Sequence, residues 1–592
     1  MEIEKKIIEN IGKAFKHLYD ADPITIGLEN LKIEPTKSSF EGNYSFVVFP
    51  YLRQSKKKPE ETAEEIGSYL KENVSEVEGF NVVKGFLNLS LSQEYWVGYL
   101  NNILTKPMFG KGNLTGKIMV EYSSPNTNKP LHLGHIRNNL LGYSVSEIMS
   151  YAGYDVKKVN LINDRGIHIC KSMYAWQLLG NGETPDSSGL KGDHLVGKYY
   201  VEFDKLYKKE IATLLSEGKT EDEAKKQAPC ILAAQEMLLR WEQGDPETIT
   251  LWKKMNDWVY QGFDFTYKRM GVNFDKMYYE SETYLLGKEF VESGLKAGVF
   301  FKKEDGSIWV DLSKEGLDEK LLLRADGTSV YMTQDMGTAQ MKYDDYGCDK
   351  SIYVVGNEQE YHFKVLQVIL QKLNKPYAPG IAHLSYGMVE LPDGKMKSRE
   401  GTVVDADDLM EEMHQTAKRK TEELGKTDGM SSEQLEELYE TIGQAALKYY
   451  LLKVDPKRKM MFNPDDSIDF QGDTGPFVQY TFARIQSILS NIEGKEAHAA
   501  NIEIHPSEIN IVQHLKAFPK KVEDAAIAMS PAIIASYVFD LAKLYNKFYN
   551  ELSILGEQNK DKKQFRLNLC FVVAETIEKC LGLLGIKAPE RM

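Results

Sequence analysis

Residues 118–135 read Ile118-Met119-Val120-Glu121-Tyr122-Ser123-Ser124-Pro125-Asn126-Thr127-Asn128-Lys129-Pro130-Leu131-His132-Leu133-Gly134-His135, and the fold class follows from their arrangement. The apolar run Ile118-Met119-Val120 reads as a buried strand, and the serine-, proline- and asparagine-bearing stretch behind it as a loop. Ile136, Leu140, Leu141, Val145, Ile148 and Met149 then recur at the spacing of an amphipathic helix, Gly153 ends it, and Val156 to Ile162 reads as a second strand. Strand, helix, strand in this order is a βαβ unit, the opening of a doubly wound, Rossmann-like parallel sheet. Two histidines flanking a glycine at the start of its first helix have a definite use. Helix amides and imidazole donors converge there on phosphate oxygens, and Gly134 has no side chain to keep an adenine or ribose ring off its backbone. An isolated His-x-Gly-His is more often a pair of capping or core histidines. Its place after a strand, with Asn126 and Lys129 upstream, favours the phosphate reading.

The pattern continues outward. Ile352 to Val355, a helix around Val365 to Leu373, and Leu384 to Val389 repeat the strand–helix–strand rhythm, and the charged, helical stretch 189–267 reads as an insertion between two halves of the fold. Residues 1–112 mix helical periodicity (Ile7, Ile11, Phe15) with short apolar runs, Tyr44 to Phe49 and Gly85 to Leu91, and end in the linker Phe109-Gly110-Lys111-Gly112-Asn113. From about Ser431 the chain reads as helical almost throughout, with Ile442, Ala445, Ala446 and Tyr449 on one face. The expected division is an α+β N-terminal domain, 1–112, an α/β domain, 113–430, and an all-α bundle, 431–592.

With 592 residues the chain is too long for a single core. Its 42% hydrophobic and 27% charged residues are those of an ordinary globular protein. The start Met1-Glu2-Ile3-Glu4-Lys5-Lys6 has no apolar stretch behind it, and no run is long enough to span a bilayer, so a cytoplasmic protein without a membrane partner is expected. The five cysteines, Cys170, Cys230, Cys348, Cys570 and Cys580, are scattered without a CxxC pair and read as buried small hydrophobes. A net charge of −14 does not exclude a nucleic-acid partner, because only the contacting face must be basic, and clusters exist at Arg53 to Lys58 and Lys453 to Lys459.

Ser124-Pro125-Asn126 followed by Lys129-Pro130-x-His132-x-Gly134-His135 resembles the adenylate-forming signature of class I aminoacyl-tRNA synthetases in its arginyl form, with Leu133 where Ile or a similar residue is usual. Gly394-Lys395-Met396-Lys397-Ser398-Arg399-Glu400-Gly401 resembles their Lys-Met-Ser-Lys-Ser loop, with Ser398 at the place of the second lysine and Arg399 after it. Charge building on departing pyrophosphate calls for cations there, and the resemblance implies that Lys129 supplies the missing one. It implies further that His132, Gly134, His135, Lys395, Met396, Ser398 and Arg399 hold ATP, with His132, His135, Lys129 and Lys395 catalytic. A planar guanidinium is best held by carboxylates. Tyr331 and Asp335, in Tyr331-Met332-Thr333-Gln334-Asp335, resemble the family's Tyr-x-x-x-Asp element and are implied to contact it with Glu121, while Ser124, Asn126 and Gln359 hold the α-amino and α-carboxylate ends. Gln479-Tyr480-x-x-x-Arg484 resembles the helix at the base of the arginyl anticodon bundle, with Phe477, Tyr480 and the terminal Met592 as tRNA contacts. Gly85-Phe86-Leu87-Asn88 resembles the domain touching the tRNA D-loop, through Phe86 and Asn88.

The resemblance thus implies activation of L-arginine with ATP and transfer to tRNA(Arg), by a monomer with no resident metal, Mg2+ arriving with the ATP. Three alternatives stand beside it, one of them a non-catalytic tRNA-binding relative, against which the intact His132, His135 and Lys395 argue. A dinucleotide-forming HxGH enzyme is usually far shorter and lacks a helical bundle, and a class I synthetase for another amino acid separates in a charging panel.

Overall fold

Five apolar strands, Lys117–Glu121, Asp155–Ile162, Lys276–Tyr279, Lys350–Gly356 and Ile381–Tyr386, form one sheet, and all four of its pairings are parallel. Its spatial order places Ile381–Tyr386, Lys350–Gly356, Lys117–Glu121, Asp155–Ile162 and Lys276–Tyr279 side by side, the doubly wound arrangement. The computed structural model describes residues 2–21, 27, 31–37, 39–106, 108–390, 404–425, 429–490, 492 and 502–592.

The first helix, Leu133–Tyr151, is not amphipathic but buried nearly all round, including Arg137, Asn138, Asn139, Ser144 and Ser146. The sheet covers one side. Helices Ala406–Leu424 and Ser432–Leu452, which pack on each other, cover the other. The division expected at residue 430 therefore falls between two helices that share a face. Gly142 lets the helix approach the loop: a Cβ there would collide with Cβ and the ring of Tyr122, itself fully buried and donating its hydroxyl to the Asn273 carbonyl.

The stretch 189–267 is helical as expected, in Gly192–Ser216, Glu221–Gln227, Pro229–Glu242 and Pro246–Met270. Two features differ from the sequence reading. Leu384 to Val389 is not one strand: Ile381–Tyr386 ends in the main sheet, and Val389–Glu390 pairs in parallel with Met460–Met461 in another. The break is at Gly387, where a Cβ would meet the backbone of Arg458 and Lys459 at 2.6 Å. A small antiparallel sheet of Phe300–Lys302, Ile308–Val310 and Lys320–Leu323 also appears, whose strands are too short to show a periodicity.

The chain falls into two compact units, one of Met1–Phe109, Arg484–Phe518 and Asp540–Ile577, the other of Gly110–Ala483, Pro519–Phe539 and Glu578–Met592. The first holds a four-stranded antiparallel sheet in the order Ile33–Pro35, Tyr44–Val47, Phe86–Leu91, Val77–Val83, with helices Glu2–Tyr19, Pro59–Asn73 and Gln93–Leu104. Within it Glu4 is paired with Lys516, and Asn43 with Gln513 (3.1 Å). Among the described residues all five cysteines are buried and unpaired, and no helix is long and apolar enough to cross a membrane.

Gly142→Ala gains helix propensity of about 1 kcal/mol but overpacks against a ring that cannot turn away. It is expected to lower stability by about 1–3 kcal/mol, read as an earlier urea midpoint.

Candidate active site

The strand order reverses between Lys117–Glu121 and Lys350–Gly356, where a doubly wound sheet opens a crevice at its carboxyl ends. Two loops leave at that edge, 122–132 and the turn Asn357–Gln359. The first is held on an uncommon course, with Ser123 and Ser124 both at positive φ (79° and 46°). Side chains from three elements hold it there. Ser123 N–H donates to Asn138 Oδ1 (2.6 Å), Ser124 N–H to Asn160 Oδ1 (3.0 Å), and the Ser123 and Tyr267 hydroxyls share a hydrogen bond (2.6 Å). Asn126 bridges to Asn163 and stays exposed.

His132 caps the helix Leu133–Tyr151. Its Nδ1 accepts from the Gly134 N–H (3.2 Å), while its own N–H donates to His135 Nδ1 (3.2 Å), and the rings lie 3.9 Å apart. Both Nδ1 atoms are acceptors, so each neutral ring carries its proton on Nε2. Burial, then the charge of Lys129, pushes His132 down to about 4 against the opposing pull of Asp405. Burial, then His132 and Lys129, holds His135 well below the usual range. Lys129 is itself lowered by burial. The crevice thus presents two neutral imidazole N–H donors and a half-buried cation at the positive end of a helix, a set suited to phosphate oxygens. Gly134 is needed for the cap as well: a Cβ there would press on the His132 ring at 3.0 Å.

Beside this cap runs residue 404–406 backbone. Leu133 N–H donates to the Val404 carbonyl (2.9 Å) and Ala406 N–H to the Leu131 carbonyl (3.0 Å). Asp405 caps helix Ala406–Leu424 and receives His194 Nε2 at 2.9 Å. Asp193, His194 and Asp407 lie close enough to hold a metal ion. A cation is already there, because the Lys191 ammonium is bonded to Asp407 and lies 3.2 Å from Asp193. Lys395, Met396, Ser398 and Arg399 lie outside the described residues.

Of the residues expected around arginine, Glu121 is buried at its strand end with its carboxylate on the buried Lys342 ammonium. Tyr331 opens helix Tyr331–Tyr346 and is 77% exposed; one turn on, Asp335 meets His362 Nε2 at 2.6 Å. Gln359 is exposed in the turn after Lys350–Gly356. Glu121 and Asp335 both act on the buried Tyr353 hydroxyl, which burial raises first of all. A further carboxylate stands here, one that sequence reasoning missed. Glu280, just after the edge strand Lys276–Tyr279, is pushed up to about 7 by burial, with Arg165 opposing and Asp164 and Asp335 adding to the rise. Its only sequence signal is position, at the carboxyl end of a strand too short to recognise.

Phe86 is half-buried against Phe49, ring centroids 6.2 Å apart. Asn88 is fully buried, its amide donating to Asn81 Oδ1 (2.9 Å) and its oxygen receiving the Ser45 hydroxyl, so it holds the sheet together and offers no group outward. In the other unit Phe477 packs on Phe539 (5.5 Å), and Tyr480 and Met592 are half-buried.

This geometry is that of a class I synthetase core, and residues 100–463 match the family described as the catalytic domain of class I (R) tRNA synthetases. Residues 1–91 match the arginyl tRNA synthetase N-terminal domain and residues 478–592 the DALR anticodon binding domain. Curated relatives named arginine–tRNA ligase from Bacteroides thetaiotaomicron and Flavobacterium psychrophilum are each 54% identical, over 600 and 606 residues, covering all of both chains. The solved arginyl-tRNA synthetase of Thermus thermophilus superposes with a TM-score of 0.79 at 25% identity over the whole of both chains. The chain belongs to the arginyl-tRNA synthetase family.

The histidine pair makes a pH prediction. Folded values lie below the unfolded 6.5, so below that pH the unfolded chain binds more protons, and stability falls as pH drops from 6.5 toward 4. His132→Asn/His135→Asn is expected to lose less stability than wild type between pH 7 and 4.5, compared by urea midpoints. Equal losses would contradict the assignment.

Proposed function

We infer that the chain is an arginine–tRNA ligase, activating L-arginine with ATP to arginyl-adenylate and pyrophosphate and passing arginine to the 3′-terminal adenosine of tRNA(Arg). What carries the reading is the pair of neutral, Nε2-protonated histidines at a helix N-terminus on the sheet's switch point, in a chain whose full-length relatives are arginine–tRNA ligases. ATP lies over Gly134 with its phosphates toward His132, His135 and Lys129, and toward the loop of Lys395, Met396, Ser398 and Arg399. The arginine carboxylate attacks the α-phosphorus, and the donors neutralise charge as pyrophosphate leaves. Magnesium comes as the counter-ion of ATP, since the donors at the phosphate site are N–H groups, which take phosphate oxygen rather than metal. Asp335 and Glu280 face the guanidinium with Tyr331. Glu121, held by Lys342, supports the same end, and Ser124, Asn126 and Gln359 take the amino and carboxylate groups. Phe86, Phe477, Tyr480 and Met592 serve tRNA. Residues 1–112, 113–430 and 431–592 are the working domains of a cytoplasmic monomer.

A panel of amino acids charged onto tRNA, each with ATP, tests the reading, and charging of arginine alone is expected. His132→Ala or His135→Ala should slow adenylate formation by about 10²–10³-fold with the fold intact.

Asp335→Asn should weaken arginine binding about 10- to 100-fold and leave ATP binding unchanged. Glu280 is half-protonated near pH 7, and a bound guanidinium favours its charged form. Arginine binding at that pH should therefore release a proton, visible by titration calorimetry in buffers of different ionisation heat and lost in Glu280→Gln.

A further inference from the structure

Helix Leu133–Tyr151 carries Arg137 two residues after the His-x-Gly-His cap. Its side chain is fully buried, and no carboxylate lies within ion-pair distance of it among the described residues. Only Nη2 is engaged, donating to the carbonyls of Pro456 (3.1 Å) and Arg458 (3.0 Å), while Nε and Nη1 have no partner. A buried guanidinium so poorly compensated is a stability liability, and burial lowers even this group to about 10.

The turn it grips explains why such a group is there. Pro456 O also accepts the Gly387 N–H (2.9 Å). Met460 N–H donates to Met388 O (3.1 Å), Phe462 N–H to Glu390 O (2.8 Å), and Val389–Glu390 lies in register with Met460–Met461. Glu390 is the last described residue before 391–403, which contain the second signature. Arg137 is thus joined, through one carbonyl and one short strand pair, to the chain entering that signature.

We propose that Arg137 is a positioning residue for adenylate formation, holding the helix of the first signature against the 456–458 turn and, through that turn, against the segment 387–390. This rests on the synthetase reading above. Arg137 touches no substrate; it acts through His132 and His135 on one side and the 387–390 segment on the other. A small displacement of phosphate-binding groups is enough to lower the rate strongly.

The test is Arg137→Met in the full-length enzyme, because a purely structural role and a positioning role predict opposite results. Methionine fills the volume and removes the buried charge, so thermal stability should be equal to or above wild type. The kcat of adenylate formation should nevertheless fall about 10- to 100-fold with a raised KM for ATP, while arginine affinity by calorimetry stays within about twofold. Arg137→Lys keeps a charged donor whose pKa burial lowers, so its activity should recover at low pH and fall as pH rises from 6 to 9, unlike wild type. Wild-type rates in Arg137→Met, or losses of arginine affinity and melting temperature that parallel the loss of rate, would overturn the proposal. If methionine does not fold, a lysine variant with the wild-type pH profile overturns it alone. Wild-type charging of arginine is the control: its absence would refute the synthetase reading, whereas ATP and arginine binding by the variants still report on Arg137.

Discussion

The end of a helix binds phosphate only if it is kept dry, aimed at the crevice and held there against its own desolvation, and helix Leu133–Tyr151 meets all three demands through buried polar groups. Its cap is made by imidazoles that burial keeps uncharged. Were either ring protonated, its Nδ1 would become a donor, and the acceptor the cap uses would be gone. The same depression of pKa therefore preserves the cap and leaves the proton of each ring on Nε2. Asn138 then locks the loop on one side, through Ser123, and the sheet on the other, donating to the Val354 carbonyl at 2.7 Å. The helix serves as a fixed beam, and the loops of the crevice are hung from it.

Charges around the crevice are sorted. Lys342 is paired with Glu121, and one ammonium, that of Lys191, is shared between Asp193 and Asp407, so each of these acids already has a cation beside it. The cation acting on Glu280 among the described residues is Arg165, whose guanidinium is stacked over the Tyr284 ring at 3.8 Å and bonded to Glu242. Burial is the first cause of the raised Glu280 pKa, with Arg165 opposing the rise and Asp164 and Asp335 adding to it. In the proposed reading, the guanidinium of bound arginine brings positive charge to this carboxylate.

The sheet, the insertion and the capped helix could be read from sequence because each has a period long enough to recognise and a punctuating glycine or proline. What stayed hidden lacks one or the other. Strands of three or four residues, such as Lys276–Tyr279 and Phe300–Lys302, show no alternation, and with the first of these Glu280 was lost as well. Leu384 to Val389 looked continuous because a run of apolar residues does not say where it changes sheet; the constraint at Gly387 comes from Arg458 and Lys459, some seventy residues away. Asn88 was read as an outward group, although a polar residue on a strand between Leu87 and Leu89 can equally be a cross-strand tie. Arg137-Asn138-Asn139 stood within an otherwise apolar helix, a local conflict of the kind that marks function, but what they hold is distant in sequence.

Because Arg137 bonds to main-chain oxygens, the side chains of the turn it grips take no part in the joint. Lys457, Arg458 and Lys459 are exposed, and every native cysteine is buried. A cysteine placed at 457 would thus be the most accessible thiol among the described residues, on the turn that joins helix Leu133–Tyr151 to the segment 387–390. A dye attached there would report on this joint without replacing any group that makes it, since the bonds across it run to main-chain oxygens.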